Sequence, residues 1–551
     1  MKLVSALQMR ALEQRADASG NSFAAMMERA GTLSAQAILE RHAVRGKHIL
    51  VLVGPGNNGG DGLVCARVLH DAGAQVALYV WRRVPMQNDV NWELCMQRGI
   101  AFTRAEDDAA FTDLREKIAR AEIIIDALLG TGVARPIEGV LKNLLDTARA
   151  ALTSQQNIAL ISPAHPGAPS PHYKTVVAID LPTGLNPDTG ALDAAALRAD
   201  LTITFAFPKS GHYAFPGADA VGELLVADIG IPESWADEIW LDVATAAELR
   251  AHLPARPRNS NKGTFGKAML ACGSQNFTGA PVLAARAAGR VGAGLVTLAV
   301  PQNIHAIIAS KIDEATFLPL PDRLGEWRPR GASDLLAQLW DSQYDALLIG
   351  CGLGQSESTR DFLARLLENF NTLENPPALV LDADALNLVA TIPEWWKTFA
   401  LHVPPILTPH PGEMARLLNT DIASVQKNRV ETARDAAREW NAVVVLKGAF
   451  TIIAAPDGRV MLLPFANAAL ASAGTGDVLA GAIAGFAAQL CASAQRAGNV
   501  NALHQAFDAA VLGAYAHALA GEIAAHEIGS AGVVAGDLLP RLPQAIRMLG
   551  E

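Results

Sequence analysis

Residues 467–478 read Asn467-Ala-Ala-Leu-Ala-Ser-Ala-Gly474-Thr475-Gly476-Asp477-Val478, and an apolar stretch rich in alanine and glycine follows directly. Glycines leave backbone N–H groups uncovered and a following helix adds its positive end, so this pattern indicates a phosphate site. A carboxylate at that place repels phosphate, which indicates a chemical role for Asp477. The role that fits is a base taking a proton from a hydroxyl that attacks a nucleotide's terminal phosphate. The alternative is that Asp477 only starts a helix after a glycine turn.

The composition indicates a large α/β chain with more than one domain. Its 551 residues exceed an ordinary single core, and 50% hydrophobic with 18% charged residues disfavours a disordered chain. The net charge of −10 and the lack of any lysine or arginine run disfavour binding to nucleic acid or to an anionic membrane. No uncharged apolar stretch of about 20 residues predicts a membrane span, and the charged first residues do not predict a signal peptide.

Five cysteines are scattered along the chain without a C-x-x-C pair. An odd number of dispersed cysteines argues against a disulfide or zinc framework. We therefore expect a reducing compartment, the cytoplasm.

Two runs of alternating strand and helix patterns predict two parallel, doubly wound α/β domains. In the first run, strand 47–53 leads into the glycine-rich segment 54–62. Its other predicted strands cover 75–80, 121–126, 175–180 and 201–205. Ligands bind at the carboxyl ends of parallel strands, so we expect the segment 54–62, Asp126 and Asp180 to share one site.

The segment 232–262, rich in proline and polar residues, is predicted to be the linker between domains at 1–231 and 263–551. The strands predicted in the second domain cover 267–271, 295–300, 346–349, 378–381, 406–408 and 443–446. A hairpin is predicted at 451–455 and 460–463, which flank the turn sequence Pro456-Asp457-Gly458.

Four polar or glycine-rich segments follow predicted strands of the second run. Gly350-Cys-Gly352-Leu-Gly354 either lets a ligand approach the backbone or forms a plain turn. Asp382 and Asp384 either cap a helix, which is favoured, or lie near a metal. His410 lies between two prolines in a rigid loop suited to substrate contact, although a lone histidine is more often structural. Lys447 either reaches a nucleotide phosphate or is a solvated strand end. Because no Walker A or protein-kinase motif is present, a P-loop fold is disfavoured.

The second-domain segments resemble a known fold when they are taken together. Gly352 with Gly354, 408–416, 447–451 and 467–477 resemble the ribokinase-like fold, and within it the ADP/ATP-dependent NAD(P)H-hydrate dehydratase family. Gly273-Ser274 after the first strand and Pro-His-Pro-Gly-Glu favour that family over sugar kinases.

The first half resembles the Rossmann-like NAD(P)H-hydrate epimerase domain. The resemblance is carried by Gly-Pro-Gly-Asn-Asn-Gly-Gly-Asp-Gly at 54–62, Gly-Thr-Gly-Val-Ala-Arg-Pro at 130–136 and Asp-Leu-Pro-Thr-Gly at 180–184. Both domains in this order resemble the bifunctional repair enzymes of bacteria, whose substrates are the hydrates NADHX and NADPHX.

The resemblance implies the site residues of the dehydratase half. The hydrated nicotinamide would contact Gly354, His410, Pro411, Gly412, Glu413, Met414, Ala415, Arg416 and Asp477. ADP or ATP, with Mg²⁺, would bind Lys447, Gly448, Ala449, Phe450, Thr451, Asn467, Ala468, Ala469, Leu470, Ala471, Ser472, Ala473, Gly474, Thr475 and Gly476. Asp477 would accept the proton of the C6 hydroxyl, phosphoryl transfer would turn that oxygen into a leaving group, and loss of phosphate would restore the nicotinamide.

In the epimerase half, the resemblance implies that the substrate contacts Asn57, Asn58, Gly59, Gly60, Asp61, Gly130, Thr131, Gly132, Val133, Ala134, Arg135, Pro136 and Asp180. Asp180 would handle the proton during interconversion of the R and S hydrates. A potassium ion would be held by Asn58, Asp126 and Thr183, all hard oxygen donors. The alternative for 54–62 is a tight turn without a ligand.

Two departures from the family pattern stand out. Thr183 replaces the usual serine but keeps the hydroxyl, and the proline-rich segment 151–173 is longer than expected and predicts a mobile surface insertion. The resemblance also implies a homo-oligomer. The competing hypothesis is a kinase of a small hydroxylated compound, with an N-terminal domain that binds without turnover.

Overall fold

The computed structural model describes residues 1–83, 89–132, 136–154 and 174–550. These residues divide into two compact units, one formed by Lys2–Ile239 and the other by Met1 with Trp240–Glu551. Val133, Ala134 and Arg135 of the predicted epimerase site lie outside the described residues, as do residues 155–173 of the predicted insertion.

The first unit is a seven-stranded parallel sheet with helices between the strands. Its helices are α1 (Ala6–Ala18), α2 (Phe23–Arg41), α3 (Asn57–Asp71), α4 (Val90–Gln97), α5 (Thr112–Arg120) and α6 (Gly139–Ser154). Its strands are β1 (His48–Val53), β2 (Gln75–Val80), β3 (Ala101–Arg104), β4 (Ile123–Ala127), β5 (Thr175–Ile179), β6 (Leu201–Phe205) and β7 (Glu223–Ala227).

The order of this sheet is β3-β2-β1-β4-β5-β6-β7, with every neighbouring pair parallel. Strand β1 is apolar from Ile49 to Val53 because both faces of the sheet are covered there. Val51 and Val53 belong to the core on one face, and Leu50 and Leu52 belong to the core on the other. A strand covered on both faces has no polar side. The doubly wound fold and the five predicted strands of this unit are confirmed, while β3 and β7 are additional.

The second unit contains a ten-stranded sheet. Its main strands are β8 (Leu241–Val243), β9 (Lys267–Ala271), β10 (Leu295–Pro301), β11 (Thr316–Leu320), β14 (Ala346–Ile349), β15 (Ala378–Leu381), β16 (Ile406–Leu407), β17 (Val443–Leu446), β18 (Ile452–Ala454) and β19 (Val460–Leu462), and the short pair β12 (Asp322–Arg323) and β13 (Glu326–Trp327) stands apart. Its helices are α7 (Ala246–Arg250), α8 (Ala280–Arg290), α9 (Gln302–Ala309), α10 (Pro329–Ser342), α11 (Glu357–Phe370), α12 (Asp384–Val389), α13 (Trp395–Phe399), α14 (Pro411–Leu417), α15 (Ile422–Lys427), α16 (Arg429–Trp440), α17 (Thr475–Ala497), α18 (Ala502–Ile528) and α19 (Ala535–Gly550).

The order of the large sheet is β11-β10-β9-β14-β15-β16-β17-β18-β19-β8. The strands from β11 to β17 run parallel, and the predicted hairpin β18–β19 is antiparallel. The segment 232–262 differs from a plain linker, because β8 completes one edge of this sheet beside β19 and α7 follows it. The units divide inside that segment, between Ile239 and Trp240.

Helix α17 packs closely against α8. A Cβ on Gly481 would lie 2.1 Å from the carbonyl oxygen of Ala284, and one on Gly485 would lie 2.7 Å from that of Ala288. No side chain fits between the two helices at these points. Among the described helices, α17 alone is long and apolar enough to cross a membrane, but 72% of its apolar window is buried inside the fold, as in a core helix.

Candidate active sites

In the second unit, the glycine turn and Lys447 lie together at the start of α17, an arrangement that could hold an anion. Gly474, at φ 88°, is the N-cap, a left-handed conformation that favours glycine. A Cβ on Gly476 would lie 3.7 Å from Lys447 Nζ, so the ammonium lies beside the turn. The first amides of a helix have no intrahelical acceptor and point outward. Asp477 is the third residue of α17, so it lies in the first turn of the helix, although the N-cap is Gly474.

Asp382 is the buried partner of Lys447. Its Oδ1 accepts hydrogen bonds from Thr408 Oγ1 at 2.6 Å and from Lys447 Nζ at 2.9 Å. Glu413 Oε2 lies 3.6 Å from the same ammonium. The favoured capping role of Asp382 is therefore wrong, because the N-cap of α12 is Ala383 and the aspartate instead offsets a buried charge. The alternative of Lys447 as a solvated strand end is wrong for the same reason.

Asp477 lies in a cluster that keeps its proton affinity high. The Sγ of Cys351 and one carboxylate oxygen each of Asp382 and Asp477 lie within 4.8 Å of one another. Burial, followed by the charge of Asp382, raises the pKa of Asp477 to about 7, although the Cys351 thiol and Lys447 act in the opposite direction. A carboxyl with a pKa near neutrality suits a general base.

His410 is held by its own helix. Its Nδ1 accepts hydrogen bonds from the amides of Gly412, at 3.0 Å, and Glu413, at 3.3 Å, at the start of α14. Its Nε2–H therefore faces Glu413 Oε1, 3.4 Å away. Burial lowers the pKa of His410, although the nearby Glu413 acts in the opposite direction. The ring is therefore a neutral N-cap of α14, and about half of its surface is exposed. Arg416 is likewise engaged and donates to Asn387 Oδ1 at 2.6 Å.

Several predicted contact residues turn their side chains into the protein. Met414, Ala415 and Ala469 are buried, and Leu470 packs against Gly521 of α18. The side chains of these four residues are therefore occupied by packing inside the fold. The amide of Gly354 is also occupied, because it donates to Asp384 Oδ2 at 2.8 Å.

Arg429 supports the loop after Lys447 and was not predicted. Its Nη2 donates to the carbonyl oxygens of Leu446 at 3.0 Å and Lys447 at 3.2 Å. Burial lowers its pKa to about 10. A Cβ on Gly448 would lie 3.0 Å from this guanidinium. Arg429 of α16 is thus a structural support of the loop after Lys447.

In the first unit, Asp180 is held by three groups that sequence reasoning missed. Its Oδ1 accepts from Lys209 Nζ at 2.8 Å and from Thr204 Oγ1 at 3.1 Å. His212 Nδ1 accepts from the Lys209 amide at 3.1 Å, so its Nε2–H donates to the Asp180 carbonyl oxygen, also at 3.1 Å. This bond holds Asp180 at φ 65°, where non-glycine residues are uncommon. Burial would raise the pKa of Asp180, but the Lys209 ammonium outweighs it and lowers that pKa.

The free oxygen of Asp180 faces the predicted substrate loops. A Cβ on Gly130 would lie 3.2 Å from Asp180 Oδ2 and 3.3 Å from the Cβ of Asn58, so these three residues meet. Within the described ranges, both amide atoms of Asn58 are buried without a hydrogen-bond partner. Asp61, one turn later on α3, is also buried. An unpaired buried amide is costly unless a ligand completes it.

Asp126 and Thr183 form the other side of this site. Asp126 accepts from the Thr183 amide at 2.8 Å and from Thr183 Oγ1 at 2.7 Å. Thr183 Oγ1 accepts from the Leu129 amide at 3.1 Å, which ties the pair to the loop that carries Gly130. Burial raises the pKa of Asp126. The predicted grouping at the carboxyl edge of the sheet is present in these residues.

Some of the residues that sequence reasoning missed could have been found from the sequence, and others could not. Lys209 and His212 follow the strand 201–205 in the series Pro208-Lys-Ser-Gly-His, which is polar chemistry at a strand end. Arg429, in contrast, lies in an ordinary charged helix pattern, and Cys351 has the pattern of a small buried residue.

Comparison with known proteins agrees for both units. Residues 268–544 match the family described as NAD(P)H-hydrate dehydratase, and residues 23–211 match the family described as YjeF-related protein N-terminus. A bifunctional NAD(P)H-hydrate repair enzyme of Moorella thermoacetica is 39% identical over 540 residues, covering 96% of this chain and 93% of the relative. The enzyme of the same name from Escherichia coli K12 is 31% identical over 543 residues, covering 97% and 91%.

Among solved structures, the ADP/ATP-dependent NAD(P)H-hydrate dehydratase of Bacillus subtilis, co-crystallised with ATP and Mg²⁺, is 31% identical and covers 56% of this chain and 98% of its own, with a TM-score of 0.45. The length and identity of the sequence matches, over both halves in the same order, decide the assignment. This chain belongs to the family of bifunctional NAD(P)H-hydrate repair enzymes.

Proposed function

We propose that this chain repairs NADHX and NADPHX at two separate sites. The unit Lys2–Ile239 interconverts the R and S hydrates, and the second unit dehydrates the S hydrate with ADP or ATP. The observation that carries the proposal is the position of Asp477. This carboxyl has a pKa near 7 and lies beside a glycine turn and the Lys447 ammonium. The five cysteines are free thiols, which supports a reducing compartment, the cytoplasm.

In the dehydratase reaction, Asp477 takes the proton of the C6 hydroxyl as that oxygen attacks the terminal phosphate of the nucleotide. The amides that open α17 and the Lys447 ammonium stabilise the charge on the transferred phosphoryl group. Hydroxide is a poor leaving group and phosphate is a good one, so elimination then restores the reduced nicotinamide. The side of Asp477 that faces Cys351 stays buried, which keeps this carboxyl basic.

Magnesium is expected to accompany the nucleotide phosphates. The cluster of Cys351, Asp382 and Asp477 does not fit a protein-held Mg²⁺ site, because Mg²⁺ prefers hard oxygen ligands. The hydrogen bond with Cys272, followed by burial, raises the pKa of the Cys351 thiol, and Asp382 is bound to Lys447. We assign no step to the ion.

In the epimerase reaction, Asp180 handles the proton through its free Oδ2, while Lys209 keeps it ionised. The residues present fit a potassium ion, because Asn58 offers a buried amide oxygen that has no hydrogen-bond partner among the described residues, and Asp126 offers a buried carboxylate. Hard oxygen atoms of this kind replace the water around such a cation. Asn58, Asp126 and Thr183 would hold it, and its charge would offset that of Asp126.

Removal of potassium tests this assignment. Replacing K⁺ by choline should slow epimerisation on the order of tenfold or more, the usual scale for a disturbed metal site. Dehydration of the S hydrate by the same sample should be unchanged, which serves as the internal control. Asp126→Asn should show the low rate with or without K⁺. Equal epimerisation rates in potassium and choline would remove the ion from the proposal.

The whole function is tested by supplying mixed NADHX epimers with ADP or ATP. We expect the absorbance of reduced nicotinamide to return for both epimers, with release of free phosphate. A stable phosphorylated substrate without NADH would support the competing hydroxyl kinase instead. Recovery of only the S fraction would mean that the first unit does not turn over.

A further inference from the structure

One buried thiol lies between the two carboxyl groups of the dehydratase site. Cys351 is 0% exposed, and its Sγ donates to Asp382 Oδ2 at 3.6 Å. The same Sγ lies within 4.8 Å of a carboxylate oxygen of Asp477. Thr408 and Lys447 both donate to the other oxygen of Asp382, Oδ1. The thiol therefore donates to the oxygen of Asp382 that these two groups leave free, and it also adjoins the base.

The backbone around Cys351 is held by close contacts. Its carbonyl oxygen accepts from the Gly273 amide at 2.9 Å. A Cβ on Gly350 would lie 1.8 Å from the carbonyl oxygen of Asp382, so the two strand ends pack with no space between them at this point. The residue before Cys351 thus rests on the main chain of Asp382. The place of the thiol beside that carboxyl is therefore fixed by the main chain.

The contacts of Cys351 continue to the other end of the site. The series runs Asp477, Cys351, Asp382, Lys447. Asp382 binds the Lys447 ammonium at 2.9 Å, and a Cβ on Gly476 would lie 3.7 Å from that ammonium. One end of the series is thus the proposed base, and the other end lies beside the glycine turn. Phosphoryl transfer depends on how the attacking hydroxyl is aligned with the phosphate, and a series that spans both ends can set this alignment.

The other titratable groups near Asp477 do not supply this contact. Asp384 of α12 accepts from a backbone amide at 2.8 Å, and Glu413 of α14 lies 3.6 Å from the ammonium at the end of the series. His517 of α18 is neutral, since burial lowers its pKa to about 4. Cys272, which follows β9, is hydrogen-bonded to the thiol itself. In the part of the chain that the structure describes, the thiol is therefore the side chain that links the base to its neighbouring carboxyl.

We propose that Cys351 is a positioning residue of the dehydratase reaction, which holds the carboxyl of Asp477 in place relative to Asp382 and the ammonium beyond it. This inference rests on the proposed dehydratase function and adds a residue to it. An S–H group is a weak donor, so it can stabilise the ionised base without removing its basicity. One S–H serves one acceptor at a time. Its proton turns to Asp477 when that carboxyl is ionised and returns to Asp382 when the base has taken the hydroxyl proton.

Two substitutions in the full chain test this role. The hydrogen bond from the thiol lowers the pKa of Asp477, so Cys351→Ala should raise it. The midpoint of the rise of kcat/KM with pH, measured with the S hydrate, should move upward by about half a pH unit, and kcat should fall about threefold, the scale of one hydrogen bond. Cys351→Ser keeps a donor on a shorter side chain and should shift the midpoint less than Cys351→Ala does. Cys491→Ala, farther along α17, is the matched control and should keep the wild-type midpoint and kcat.

The outcomes separate a lost donor from a lost side chain. An unmoved midpoint in Cys351→Ala would overturn the role even if kcat or Tm fell, because a residue needed only for packing leaves the titration of the base unchanged. An equal shift in both variants would also overturn it, since space rather than the donor would then matter. If the wild type did not dehydrate the S hydrate, the proposed function itself would fail. With an active wild type and an unmoved midpoint, that function stands and this inference alone falls.

Infrared spectroscopy tests the contact in the unmodified protein and needs no turnover. The S–H stretching band that is present in the wild type and absent from Cys351→Ala belongs to this thiol. It should shift as the pH passes through 7, where Asp477 changes its charge, and it should stay in place in Asp477→Asn. A Cys351 band that does not move with pH in the wild type would overturn the proposal.

Discussion

Asp477→Asn should abolish dehydration of the S hydrate while leaving R and S interconversion intact. The amide cannot accept the hydroxyl proton, so we expect a loss on the order of 100-fold or more, as for a general base. The measurement is the return of reduced-nicotinamide absorbance with ADP or ATP. Asp435→Asn, which changes an exposed carboxylate of α16 that pairs with Arg434, is the control. Near-normal dehydration by Asp477→Asn would show that another group is the base.

The pH dependence of wild-type dehydration reports on the same carboxyl. Because its pKa is raised to about 7, kcat/KM should rise as the pH increases through 7 and then level off. Stability follows the opposite direction. The pKa of Asp477 in the folded state, about 7, lies above its unfolded value of about 3.9. The folded state therefore loses stability as the pH rises from the unfolded pKa to the folded one. Asp477→Asn removes that cost, and its Tm at pH 8 should equal or exceed that of the wild type, which separates a lost base from a lost fold.

Asp180→Asn should have the reverse effect, with epimerisation lost on the order of 100-fold or more and dehydration of the S hydrate retained. Asparagine tolerates the left-handed backbone of this position, so the substitution removes charge with little backbone strain. The assay supplies pure R hydrate without nucleotide and follows the appearance of the S form by chromatography. Asp107→Asn, an exposed carboxylate of the same unit, is the control.

Asp180→Asn also leaves the Lys209 ammonium buried without its partner, and we expect a lower Tm for this reason. Adding Lys209→Met removes the orphaned charge, so the double variant should recover Tm but not epimerisation. Recovery of activity in the double variant would mean that Asp180 acts only as a counter-ion.

The strands that carry both sites were predictable because their sequences are continuous apolar runs that end in polar loops. Strand β8 was not predictable, since its three residues inside the segment 232–262 have no recognisable period and gain their place by pairing with β19. The segment around it therefore resembled a linker.

The site residues divide in the same way. Asp477 lies at a glycine turn, and its local sequence was enough to propose it. Asp126 and Asp180 lie at strand ends, where helix capping is the likelier role of a single aspartate, and only the sheet edge that their strands share favoured a common site. The partners that set their protonation, Lys209 and Asp382, act across the sheet edge from other strands. Their effect depends on distances that only the folded chain provides, which is why Asp382 resembled a helix cap.

The contact of α17 with α8 has a consequence for how this enzyme can adapt. The helix that carries Asp477 packs on its neighbour through Gly481 and Gly485, where an added methyl group meets main-chain atoms. Replacing either glycine to stiffen the helix would move its first turn, and the carboxyl with it. Natural selection for heat tolerance must therefore act on stabilising substitutions elsewhere in the unit. Directed evolution of the second unit should leave Gly481 and Gly485 unchanged.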